Sequence, residues 1–222
     1  MKNLLLILFA LLIFSCSNED ILDPTTFNQE LSVLENLNNG VSVLDISSNL
    51  GVNALYGINF DGGFIYHVNE TDGSLMVAKD YSFIGAKSWG DHFDLTNGEL
   101  VGEGRQNTIN IVKENLNDNS NVLNGFEFGS DDYAFKIIED LEYENYDDWF
   151  IPSSKSAEEI FNNLHASGFG DFNEEVVYWT STKAGYHPYV INFNINFNGE
   201  TFLGSCFNTN HIIIVRHINT QI

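Results

Sequence analysis

The feature that most restricts this chain's fold is the order in which its hydrophobic period changes. Strand period comes first: residues 64–68 and 75–78 are apolar runs flanking a polar turn with Asp72-Gly73 at its bend, which reads as a β-hairpin. Helical period follows. Ile109, Val112 and Leu116 recur at helical spacing, and so do Ala134, Ile137, Ile138 and Leu141. A third helix is expected from about Ser156 to Leu164, with Ser156 and Glu159 as a capping box and Ala157, Ile160, Phe161 and Leu164 turned inward. Strand period then returns. Residues 192–198 alternate Asn with Phe or Ile, the pattern of a half-exposed strand, and Asn198-Gly199 is a turn signal that should bring 200–203 back beside it. Residues 211–218 close the chain as an apolar, central strand. Strands, helices and strands in that order predict an α+β fold.

The segment before this body has a different logic. Lys2 precedes eleven apolar residues, Leu4 to Phe14, and at about 1.5 Å per residue such a helix falls short of a hydrocarbon core about 30 Å thick. Residues 1–15 therefore read as a cleaved export signal. Its end, Ile13-Phe14-Ser15-Cys16, resembles the lipobox of bacterial lipoproteins, whose cysteine is acylated and becomes the new N-terminus. Several acyl chains on Cys16 would hold the chain on a bilayer, since each buried methylene contributes about 0.8 kcal/mol. Ser17, Asn18, Glu19 and Asp20 then form a polar, acidic stretch like those that direct lipoproteins to the outside of the outer membrane. Residues 16–50 read as a tether with one short helix, started by Asp23-Pro24, carrying Phe27, Leu31, Leu34 and Leu37 on one face and stopped by Asn39-Gly40, which either packs on the domain or forms a spacer from the membrane. Residues 41–53 read as a looser connection.

Composition narrows the partners. Thirty-one acids oppose nine bases, for a net charge of −22. Nucleic acid is excluded as a partner, because its binding draws on Lys and Arg to displace counterions. An aromatic content of 14% is too high for a disordered acidic chain. With Cys16 taken by lipid, Cys206 has no cysteine partner, so stability has to come from the core. Trp149 and Trp179 lie in apolar runs and read as core anchors, with Arg216 paired to a buried acid such as Asp148.

Several short motifs now occur in order: Tyr56-Gly57, Gly62-Gly63-Phe64-Ile65-Tyr66, Val77-Ala78, Trp89-Gly90, Gly102-Glu103-Gly104 with Asn107-Thr108, Asp148-Trp149-Phe150-Ile151-Pro152-Ser153, Tyr178-Trp179-Thr180-Ser181 and Val215-Arg216. Over residues 51–218 this resembles the Lcl C-terminal domain family, a domain of unknown function in bacterial surface proteins named for a collagen-like adhesin. The resemblance implies a C-type-lectin-like fold over residues 51–222: a small twisted antiparallel sheet with two or three packed helices and a long irregular stretch. It also implies secreted or surface-anchored proteins, some of which adhere to glycosaminoglycans. That ligand class does not transfer, because a strongly acidic domain repels sulfated polysaccharides at long range. Asn219 also departs from the family, which often ends this strand with a second Arg.

The resemblance places ligands on the loops between the late strands, so a binding face is expected across residues 179–187 and 204–211. These carry Thr182, Lys183, Tyr186, Asn208, Asn210 and His211. Trp89, before Gly90-Asp91-His92, offers an indole that could stack on a sugar ring if exposed. The leading expectation is a lipid-anchored envelope protein whose non-catalytic, lectin-like domain binds an extracellular glycan or protein. A structural part of a surface assembly is the alternative, recognisable by an exposed apolar patch. A carboxylate-dependent glycan hydrolase is a second alternative, which would need two carboxylates converging in one cleft; Asp131-Asp132, Asp147-Asp148 and Glu174-Glu175 are mere sequence neighbours. No cofactor is expected. The oxygen-rich run 117–121 is the place weighed for calcium, but it lacks the first Asp, the Gly and the final Glu of an EF-hand loop. Six histidines show no zinc spacing.

Overall fold

The computed structural model describes residues 25–91, 94–117 and 132–220. The expected export signal and Cys16 lie outside the described residues, as do His92, most of the 117–121 run and Asp131. Among the described residues no helix is long and apolar enough to cross a membrane.

Among the described residues, five α-helices and nine strands build a mixed α+β body. Helix α1, Val33–Asn38, is shorter than the sequence suggested. It begins at Ser32, whose hydroxyl accepts from the Glu35 N–H while the Glu35 carboxylate accepts from the Ser32 N–H, a reciprocal cap; Asp23 and Pro24, the expected start, lie outside the described residues. The expected looser connection contains a second helix, α2, Val43–Leu50, capped by Ser42. Both pack on the sheet: Leu37, Val41, Val43 and Ile46 share a core with Ile65, Val68, Leu75 and Val77. The folded body thus reaches well back into the segment read as a tether.

The first sheet runs β1-β2-β3-β9, all antiparallel, with β1 Asn59–Phe60, β2 Gly63–Val68, β3 Leu75–Asp80 and β9 Ile213–Ile218. The β2–β3 hairpin is the one the sequence announced. Leu75, Met76, Val77 and Ala78 are all buried because both sheet faces are covered. Met76 and Ala78 join the core beneath α5, Ser154–Asn163, while Leu75 and Val77 face α1 and α2. Strand β9 ends the ladder, but its outer edge is not bare: Phe150 and Val215 exchange N–H···O bonds at 3.0 and 2.9 Å.

Helix α5 starts at Ser153, whose hydroxyl accepts from the Ser156 N–H, so the cap sits three residues before the expected one. Ser156 is then buried inside the helix and Glu159 is free to reach His67, 2.7 Å away. Helices α3, Gly104–Asn117, and α4, Ala134–Glu139, cover a third core containing Trp89, Trp149, Trp179, Phe135 and Ile138. A two-stranded pair joins β4, Lys87–Ser88, to β8, Thr209–Asn210.

The remaining sheet, β5-β6-β7, comprises Val177–Ala184, His187–Asn192 and Thr201–Leu203. Here the sequence misled in two places. Residues expected as the first binding loop are mostly strand β5, and the expected strand 192–198 is not a strand. Asn192 Oδ1 accepts from the Asn194 N–H at 2.7 Å, and Asn194 Oδ1 from the Asn196 N–H at 3.0 Å, which bends the chain into a 3-10 turn over Ile195–Phe197. Local amide bonds of this kind compete with a strand ladder. Asn198 and Gly199 do turn the chain with positive φ, but β7 returns beside β6, pairing Val190 with Phe202. Gly199 is required there, since a Cβ would lie 2.1 Å from the Phe161 ring of α5.

Candidate functional site

Strand β5 decides where the expected binding residues go. It is buried from Tyr178 through Lys183, so Thr182 and Lys183 face the interior. Thr182 Oγ1 donates to the Gly98 carbonyl at 3.0 Å and accepts from the Ser154 N–H at 2.9 Å, fastening β5 to the start of α5. Asn210 is buried in the β4–β8 pair opposite Lys87. Trp89 is also fully buried, edge-on to Phe135 and Trp179 at centroid distances of 4.4 and 5.3 Å. These four side chains do not lie on an outer face. Tyr186 and Asn208 are exposed, and His211 is half-buried, its N–H donating to the Val177 carbonyl.

The side chains assigned to structure lie in the interior. Trp179 Nε1 donates to the Lys87 carbonyl at 2.8 Å, and Trp149 Nε1 to the Tyr143 carbonyl at 3.1 Å. Arg216 is paired with Asp148 through Nε and Nη2, donates from Nη1 to the Asp61 carbonyl at 2.6 Å, and lies 3.5 Å from the Tyr146 ring centroid. One guanidinium thus ties the β1–β2 turn, β9 and the 146–150 segment together.

Among the described residues, two surfaces stand out as candidates for ligands. The first is a cleft of about 330 Å³ lined by His67, Met76, Arg105, Asp148 and His217, among others. His67, Met76 and His217 stand in one cross-strand row over β2, β3 and β9. Its one carboxylate, Asp148, is held by Arg216, so the cleft does not supply two free carboxylates. Among the described residues no three His, Cys, Asp or Glu side chains group closely enough to hold a metal ion.

The second surface is the outer end of the β6–β7 hairpin. Ile195 is 61% exposed, Leu203 56%, Phe197 48% and Phe202 38%, and the two Phe rings stack at 5.9 Å with an interplanar angle of 22°. From 184 to 215 the chain has one acid, Glu200, and no Lys or Arg. In a chain of net charge −22 this is a sparsely charged island bearing aromatic rings, asparagine amides and the single carboxylate of Glu200. Glu158 of α5 secures its base by accepting from Thr201 Oγ1 at 2.7 Å. Burial raises the Glu158 pKa, but bonds from Lys155 and Thr201 outweigh that and hold it below the usual carboxylate value. Sequence reasoning missed this surface by assigning alternate residues of 192–198 to the two faces of a strand. The available signal was the repeated asparagine, a turn-forming residue that bonds its own backbone two residues on.

Scanned against protein-family models, the chain matches none, and a search of curated proteins finds no match.

Proposed function

We propose that this chain is a lipid-anchored envelope protein, held at the outer membrane through Cys16, whose C-type-lectin-like domain binds an extracellular glycan without catalysis. The observation that carries the reading is the sparsely charged aromatic island on the β6–β7 hairpin. Sugar rings present apolar C–H faces to aromatic rings and hydroxyls to amides, and neither contact needs charge. Two small antiparallel ladders with helices against them, and a long irregular stretch between β4 and α3, support the lectin-like assignment, as do the ordered motifs from Tyr56-Gly57 to Val215-Arg216.

The test is a glycan array probed with the full chain in detergent and with Phe197→Ala/Phe202→Ala. Retained folding with lost glycan signal in the double variant supports the reading; equal binding by both proteins overturns it. A second reading, a structural part of a surface assembly, is favoured by the exposure of Ile195 and Leu203 beside the short edge strand β7. An empty array, together with an envelope protein that co-purifies with the wild type and not with Leu203→Ser, would select it.

A further inference from the structure

Cys206 is in no disulfide and is the only cysteine among the described residues, yet its thiol does not stand alone. It is 1% exposed and shares the Trp89 core, and Lys183 beside it is 0% exposed, a rare position for an amine. Backbone pairing brings the two together. Lys183 faces Pro188 across the β5–β6 ladder, and Gly204, two residues before Cys206, donates its N–H to the Pro188 carbonyl at 2.7 Å. Cys206 Sγ lies 3.6 Å from the carbonyl of Tyr186 in the β5–β6 turn, while Lys183 Nζ is 5.9 Å from the Trp89 ring centroid. Thiol and amine are hydrogen-bonded to one another. Burial moves the amine below its ordinary pKa and the thiol above its own, with Asp91 and Asp94 as the carboxylates near the amine. The amine is therefore shifted toward its uncharged form, which has a lone pair for bonding.

We propose that Lys183 and Cys206 form an oxidative crosslink, an S–O–N bridge that closes the base of the β6–β7 hairpin. The oxidant is dioxygen. The S–H bond and one N–H bond break, the O=O bond is cleaved, one oxygen atom enters between sulfur and nitrogen, and the other leaves as water with the two hydrogens. Thiol and amine are each oxidised by two electrons and dioxygen is reduced by four. Both strands that carry the aromatic island lie between positions 183 and 206, so the bridge fixes the hairpin as a disulfide would, with lysine in place of a second cysteine. This goes beyond glycan binding, and neither outcome on the array bears on it.

The experiment is peptide mapping by mass spectrometry of the full chain, prepared in air or with oxygen excluded and alkylated after denaturation. In air, a joined peptide pair containing 183 and 206 is expected, heavier than its two parts by one oxygen less two hydrogens. It should disappear with dithiothreitol, with recovery of the alkylatable thiol, and be absent from Lys183→Arg. A fully alkylatable Cys206 after exposure to air overturns the proposal. So does Cys206 oxidation that joins no peptide and reaches the same extent in Lys183→Arg. The wild-type map decides the matter even where a variant fails to fold.

Discussion

The two larger sheets use the same antiparallel ladder to opposite ends. In β1-β2-β3-β9, helices cover both faces, and β3 buries four consecutive apolar residues. In β5-β6-β7, burial fades with distance from the core: β5 is sealed, β6 is mostly buried, and β7 exposes Phe202 and Leu203. The first arrangement fixes the fold, and the second spends little stability on its last strand and leaves it available for contact. A substitution should therefore cost most in the first sheet and least at the end of the second.

The largest effect should come from Asp148→Ala, which removes the carboxylate held by two guanidinium nitrogens of the buried Arg216 and leaves it the Asp61 turn and the Tyr146 ring. A loss of about 3–4 kcal/mol is expected in denaturant unfolding, the scale for breaking one side of a buried ion pair. Ile46→Ala should follow at about 2–3 kcal/mol, through the cavity left between α2 and the sheet. A change near zero there would show that α2 is dispensable and restore the tether reading.

A smaller effect is expected from Glu158, which joins the two regions. Its folded pKa lies below the ordinary 4.5, so its contribution is present above that value and is lost as pH falls through the depressed folded pKa. Glu158→Gln should cost about 1 kcal/mol or less at neutral pH, because the group is partly solvated. The difference from wild type should shrink in unfolding curves recorded at successively lower pH below 4.5; a difference that grows with acid would reverse the assignment. Smallest of all, Leu203→Ser should change stability by no more than about 0.5 kcal/mol. A larger loss would place that side chain in the core and remove the contrast between the sheets.

What the sequence conveyed tracks how continuous each pattern is. The β2–β3 hairpin and the buried face of α5 were readable because apolar residues recur at the right period and their turns carry Gly or Asn; α3 was readable as a helix, but Ile109 of its periodic set is exposed and Ile111 is buried in its place. Helix α2 escaped notice because its Ser and Asn content resembles a linker, although Ser42 three residues before Asp45 was a cap signal. Within the site, burial of Trp179 and Trp149 was readable from their apolar neighbours. The burial of Thr182 and Lys183 was not, because polar residues in a strand say nothing of what packs over them. Here Gly98 and Ser154 come from elsewhere in the chain to satisfy Thr182.

Strand β9 pairs with β3 from Leu75↔Ile218 to Asp80↔Ile213, and its other edge holds Phe150. The main ladder consequently lacks a member until residues 213–218 have been made. Contacts so distant along the chain cannot reward collapse early in synthesis. Joining β3 to β9 therefore closes a loop of more than about a hundred residues, and the sheet is completed by its slowest contact.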